Sequence, residues 1–167
     1  MTLLPTRCNS ARTLATWHNV AKPADLLVLL LIGSTATLIA TIVVNAVTSA
    51  NAPDNDYSPD TGWATMMPVP TWGFLWTLLD IFICRFWVLN PIYALVMTTL
   101  LFCGYIVTGT LTAMFFEWAT DGAWVPAVFF FIMAVLHAVY LRYAARAVHV
   151  GKKRTKADDF VARFDEP

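Results

Sequence analysis

Four long apolar stretches, separated by polar residues, run along the chain and predict four membrane-spanning helices. About 20 consecutive apolar residues are enough to cross the hydrocarbon core of a bilayer. Asn90-Pro91 separates the second stretch from the third, because proline disfavours helix in the residue before it. The sequence therefore predicts an all-α integral membrane protein with four transmembrane helices, placed at about 25–47, 71–89, 92–116 and 124–143.

Polar segments complete the predicted organisation of the chain. Residues 1–24 form a basic N-terminal segment, residues 25–147 the transmembrane domain, and residues 148–167 a basic and amphipathic tail. Within the domain, residues 48–70 are expected to form a long acidic outer loop. Three acids and four prolines in that segment disfavour a continuous helix through it.

Charged residues are sorted between the two sides of this topology. All eleven lysines and arginines fall at the chain ends or near the connection between spans two and three. The other two connections contain no cation and five acids, which are Asp54, Asp56, Asp60, Glu117 and Asp121. Basic segments stay on the side where membrane insertion begins. Both termini are therefore expected on the basic side, which is the cytoplasm or the mitochondrial matrix.

The composition favours a membrane protein over a soluble one. The chain has 167 residues, of which 58% are hydrophobic and 13% charged. Soluble domains average roughly 45–50% apolar and about 25% charged residues. Cys8, Cys84 and Cys103 lack the spacing of a metal site and are expected to be free thiols. We expect no cofactor or metal other than bound structural lipids, and no nucleic-acid partner.

Asp80 is the one acid that the charge sorting leaves inside the membrane, near the middle of span two. A carboxylate at that depth is costly unless it is paired or protonated. His137 of span four is expected at a depth between those of Asp80 and Arg85. The sequence predicts an intramembrane polar cluster of these three residues. Three interpretations stay open: a structural pair, an ion pair with a neighbouring subunit, or a site for protons, a quinone or a sterol.

Known catalytic patterns do not occur in the sequence. A haem held by two intramembrane histidines is not expected, because only His137 lies within a span. There is no serine in a glycine-rich turn, no cysteine beside a histidine, and no glycine-rich phosphate loop. No catalytic residue is therefore assigned.

Small and hydroxyl residues recur every four positions in spans one and three. Such residues allow another helix to approach closely. The predicted helix-packing faces consist of Gly33, Thr37 and Thr41 in span one and of Gly104, Thr108 and Thr112 in span three.

The end of span four and the tail contain a series of cations. Cations near an anionic leaflet attract lipid head groups. Contacts with anionic lipid head groups or with a partner are therefore expected for Arg142, Arg146, Lys152, Lys153, Arg154 and Lys156. Phe160, Val161 and Phe164 share one face if the tail is helical, which is typical of a segment that docks on a partner or a membrane surface.

One short pattern resembles a known family. Trp76-Thr77-Leu78-Leu79, with Asn90-Pro91-Ile92-Tyr93 downstream, is similar to the sterol-pathway scaffold family of the endoplasmic reticulum membrane. That resemblance, over about residues 72–140, implies a four-span protein that holds biosynthetic enzymes together. The third span departs from the family, since Gly104-Tyr105-Ile106 and Leu111-Thr112-Ala113 stand where a histidine and a glutamate are expected. Membership is therefore not assigned.

These features favour a non-catalytic accessory or scaffold subunit of a larger membrane protein complex. Residues 1–24 contain arginines but no acid, which is the composition of a mitochondrial presequence. The expected host is therefore a respiratory-chain or ATP-synthase complex of the mitochondrial inner membrane, in preference to a bacterial plasma membrane or the endoplasmic reticulum. The alternative is a small membrane enzyme or carrier that binds lipid, quinone or sterol at the Asp80 and His137 site.

Overall fold

A computed structural model describes residues 23–51, 60–86, 89–116 and 124–164. Within these residues, all regular secondary structure is helical. The helices are α1 (Pro23–Asn51), α2 (Asp60–Met66), α3 (Pro68–Phe86), α4 (Pro91–Phe116) and α5 (Val125–Phe164). Four candidate membrane spans lie in these helices, at Asp25–Ala50, Gly62–Cys84, Pro91–Met114 and Val125–His149. The predicted all-α, multi-pass membrane fold is thus confirmed. The side on which the termini lie stays a prediction.

Helix starts follow the local sequence. Pro23 is the first residue of α1 and Asp25 lies in its first turn, where a proline costs no hydrogen bond and an acid complements the helix dipole. At α4, the side-chain oxygen of Asn90 accepts a hydrogen bond of 3.0 Å from the backbone N–H of Ile92. Asn90 therefore caps α4, and Pro91 begins it. This agrees with the predicted break between spans two and three.

The segment predicted as an acidic loop, residues 48–70, contains more helix than expected. Helix α1 extends to Asn51, α2 occupies Asp60–Met66, and α3 begins at Pro68. The prolines at the end of this segment open α3 instead of interrupting it, because the first turn of a helix has no hydrogen bond for proline to remove. Residues 52–59 lie outside the described part of the chain.

Helix α2 packs on the bundle through two of its side chains. The indole N–H of Trp63 donates a hydrogen bond of 3.3 Å to the hydroxyl of Ser49 in α1. Met66 is 1% exposed and belongs to the hydrophobic core. The short helix therefore contacts α1, α3 and α4.

The four long helices form a bundle in which α4 and α5 make the most extensive contact. Helix α1 packs against both α3 and α5, and α3 touches α4 less extensively. Helices α1 and α5 approach closely at Gly33, where an added Cβ would lie 2.7 Å from the sulfur of Met133. The largest buried side chains are Tyr105 of α4 and Phe130 and Tyr140 of α5, and the rings of Tyr105 and Phe130 pack against each other across the two helices.

Candidate functional site

The buried hydroxyls of α1 form their hydrogen bonds within their own helix. The hydroxyl of Thr37 donates to the carbonyl oxygen of Gly33, and that of Thr41 to the carbonyl oxygen of Thr37, each at 2.7 Å. Ser34 donates in the same way to Leu31 at 3.0 Å. We call Ser34, Thr37 and Thr41 the hydroxyl face. It is buried, with each of the three side chains at most 1% exposed.

The predicted helix-packing faces lie inside this chain. Gly33 faces α5, as its contact with Met133 shows, and Thr37 is buried. On α4, an added Cβ at Gly104 would lie 3.4 Å from Val69 of α3. The other two residues of that face, Thr108 and Thr112, are also buried. These surfaces join the helices of one chain to each other.

Asp80 lies on the buried face of α3. Gly73, Thr77, Asp80 and Cys84 follow one another at three- or four-residue spacing, which places them on one side of the helix. Thr77 satisfies its hydroxyl by donating to the carbonyl oxygen of Gly73 at 2.7 Å. Asp80 is 6% exposed, and its Oδ1 has no hydrogen-bond partner among the described residues.

His137 of α5 is buried against Tyr105 of α4. The two rings are stacked, with centroids 5.3 Å apart and an angle of 21° between their planes. Within the described ranges, both imidazole nitrogens and the tyrosine hydroxyl lack a hydrogen-bond partner. The imidazole and the phenol rings are therefore stacked, and none of their polar atoms forms a hydrogen bond within the described ranges.

The hydroxyl of Tyr105 reaches across the bundle to α3. It lies so close to the backbone of Gly73 that an added Cβ there would overlap it. On the other side, the ring of Phe130 of α5 lies at a centroid distance of 6.2 Å. Tyr105 is therefore a common neighbour of α3 and α5. We refer to Asp80, Tyr105 and His137 as the central polar region.

Asp80 and His137 are not hydrogen-bonded to each other, since neither imidazole nitrogen has a partner in the described part of the chain. Asp80 lies seven residues beyond Gly73, or about 10 Å along α3. Trp76, one turn before Asp80 on α3, packs against Tyr93 at the start of α4, with ring centroids 5.8 Å apart.

The side chain of Arg85 lies outside the described part of the structure, although its backbone belongs to α3. The predicted cluster of Asp80, Arg85 and His137 therefore stays a prediction. Tyr105 and Gly73 were not assigned to this site from the sequence. A tyrosine in the middle of a span, three residues before Thr108 on the same helix face, was the available signal.

The predicted cations lie along the second half of α5. Arg142 and Arg146 are exposed. Lys152, Lys153, Arg154 and Lys156 belong to the same continuous helix, but their side chains lie outside the described part.

Within the described ranges, His, Cys, Asp and Glu side chains form no group of three that could hold a metal ion. The central polar region therefore offers hydrogen-bonding atoms and aromatic surface.

Comparisons with protein-family models, with curated proteins and with solved structures return no match to this chain.

Proposed function

We propose that this chain is a non-catalytic accessory or scaffold subunit of a larger membrane protein complex. The observation that carries the proposal is the length of α5, a continuous helix of 40 residues. Its apolar span ends at His149, so the helix continues over residues 150–164, about 22 Å beyond the span at 1.5 Å per residue. This extension is available to a protein outside the bilayer.

The sequence of the α5 extension favours a protein contact. In the sequence, Phe160, Val161 and Phe164 have the spacing of residues that share one face of a helix. A helix with one apolar face is stabilised chiefly by packing that face against another surface. A partner surface that accepts two aromatic rings fits this requirement.

A second outward surface supports close contact with a partner helix. On α4, Thr99, Cys103 and Thr110 are exposed in the part of the helix that lies within the membrane span. Both threonines donate to carbonyl oxygens of their own helix at 2.8 Å, so they need no polar neighbour. Small side chains on an outward face let a partner helix approach closely.

The host that we propose is a respiratory-chain or ATP-synthase complex of the mitochondrial inner membrane. The support is the composition of residues 1–24, which contain Arg7, Arg12 and Lys22 and no acid. Fractionation of cells that produce the tagged chain tests the compartment. Recovery of the chain with endoplasmic reticulum membranes, and not with mitochondria, would contradict this host.

Gentle detergent extraction followed by native mass measurement tests the subunit proposal. The full chain is expected to be recovered in an assembly. The double variant with Phe160→Ser and Phe164→Ser is expected to dissociate from that assembly, because both substitutions remove apolar contact area. Thr155→Ser, on the opposite side of the same helix, is the matched control and should stay assembled. An assembly that retains the double variant as well as the wild type would contradict the role of the α5 extension.

A second candidate function rests on the central polar region. Asp80, Tyr105 and His137 are all nearly fully buried, and each has a polar atom without a partner in the described part of the chain. A small membrane enzyme or carrier that binds lipid, quinone or sterol would use such atoms as hydrogen-bonding groups. Asp80→Asn separates the two functions. Intact assembly with loss of a bound small molecule favours this candidate, whereas loss of assembly favours the subunit.

A further inference from the structure

An open groove of about 500 Å³ lies between α4 and α5 on the outer surface of the bundle. Phe102 and Ile106 of α4 line one side of it. On α5, the small side chains of Ala134 and Ala138 lie between bulkier neighbours, and this leaves the surface concave. The lining is apolar along its length except at one end, where Arg142 stands.

The length of the groove corresponds to one leaflet of a bilayer. Its lining extends along α5 from Phe131 to Arg142, which is about 16 Å at 1.5 Å per residue. The hydrocarbon core is about 30 Å thick, so the groove covers about half of it. Arg142 is at the end nearer to the basic tail, seven residues before the apolar span ends at His149, and a long arginine side chain reaches from that depth toward the head groups of that leaflet.

The charge of Arg142 is available to a ligand. It is exposed, and it forms no ion pair with any acidic side chain in the described ranges. A guanidinium group binds phosphate through two parallel hydrogen bonds, and it retains its charge at the edge of a membrane. The groove therefore combines an apolar channel with a phosphate-binding group at the end that faces the basic side.

We propose that this groove binds one anionic phospholipid, with an acyl chain along Ala134 and Ala138 and the head-group phosphate on Arg142. A helix of another protein would fit less well. It would cross both leaflets, whereas the groove covers about half of the hydrocarbon core. A zwitterionic lipid would also fill the channel, but the cationic group of its own head group offsets its phosphate, so an anionic lipid complements the charge of Arg142 more fully.

The test is native mass spectrometry of the full chain in detergent, titrated with phosphatidylglycerol and with phosphatidylcholine of the same acyl chains. Phosphatidylglycerol is expected to be retained in preference to phosphatidylcholine. Arg142→Gln is expected to weaken phosphatidylglycerol retention about fivefold, which is the usual contribution of one cation beside an anionic lipid. Arg146→Gln removes an equal charge one turn further on, outside the groove, and is the matched control.

A second pair of variants tests the channel separately from the charge. Ala138→Leu fills the groove and is expected to reduce retention of both lipids, whereas Ala145→Leu, which is exposed on the same helix outside the groove, leaves it unchanged. Circular dichroism of each variant verifies that the helices are retained. If Arg142→Gln fails to fold, Arg142→Lys is used in its place, since it keeps the charge at this position.

Three results would overturn the proposal. Equal losses for Arg142→Gln and Arg146→Gln would mean that the tail attracts anionic lipids as a whole and that no groove site exists. Equal retention of the two lipids by the wild type would remove the preference for an anionic lipid, because phosphatidylcholine carries the same phosphate without a net charge. The third result is a wild-type dimer that holds no lipid and that dissociates in the Ala138→Leu variant. It would mean that the groove is an interface between copies of this chain.

Discussion

The hydroxyl face of α1 and the central polar region place polar groups in the same bundle in different ways. Ser34, Thr37 and Thr41 bond back to carbonyl oxygens of their own helix at 2.7–3.0 Å. Asp80, Tyr105 and His137 keep polar atoms without a hydrogen-bond partner in the described part of the structure. Both regions are buried, so the difference lies in whether the polar atoms of each side chain form hydrogen bonds.

The reach of the side chain accounts for this difference between the two regions, although elsewhere in the described structure the hydroxyl of Thr112 is also buried without a hydrogen-bond partner. A serine or threonine hydroxyl is close enough to the preceding helical turn to bond its carbonyl oxygen. The polar atoms of a tyrosine or histidine extend away from their own backbone, so another helix or a ligand must supply the partner. An unpaired buried polar group costs about 1–3 kcal/mol. The hydroxyl face therefore serves packing, and the central polar region is where a bound small molecule would find hydrogen-bonding groups.

Substitution of the glycine beside each region should lower the stability of the chain by different amounts. Gly73→Ala directs a Cβ at the hydroxyl of Tyr105 and is expected to lower the free energy of unfolding by about 2 kcal/mol. Gly33→Ala directs a Cβ at the sulfur of Met133 and should cost less, because a methionine side chain can adjust. Unfolding by SDS titration in mixed micelles measures both changes.

Two further variants control this comparison. Gly104→Ala would place its Cβ 3.4 Å from Val69, an ordinary contact, and should change stability by less than about 0.5 kcal/mol. In a Tyr105→Phe background, the cost of Gly73→Ala should fall, because the hydroxyl is gone. The same cost in both backgrounds would show that the clash is with something other than this hydroxyl.

Removal of the Tyr105 hydroxyl should stabilise the purified chain. Tyr105→Phe deletes a buried polar atom that has no partner in the described ranges, and a gain of about 1 kcal/mol is expected. The same SDS titration measures it. A loss of stability would mean that the hydroxyl has a bound partner in the membrane, which would favour the small-molecule function.

Removal of a hydroxyl from α1 should have the smallest effect. Thr41→Val replaces the hydroxyl by a methyl group of similar size and loses one bond to the same helix. The expected change in the free energy of unfolding is within about 0.5 kcal/mol. A cost above about 1.5 kcal/mol would place Thr41 in an interhelical hydrogen bond and would remove the distinction between the two regions.

Hydropathy and helix-breaking residues were enough to predict the four spans, because each span must be apolar over about 20 residues. The same rules misplaced the start of α3, since Pro68 and Pro70 open a helix instead of ending one. Asp80 and His137 were found because charge and imidazole are rare inside spans. Tyr105 was missed, because its role depends on the proximity of Gly73 in another helix, which no local pattern encodes.

The central claim is that this chain functions within a larger assembly, and native mass measurement after extraction in a mild detergent tests it most directly. A complex that contains other membrane subunits, and that dissociates when Phe160 and Phe164 are replaced by serine, is the predicted result. A species of 18.6 kDa plus bound detergent and lipid would contradict the account, because the chain would then be a monomer.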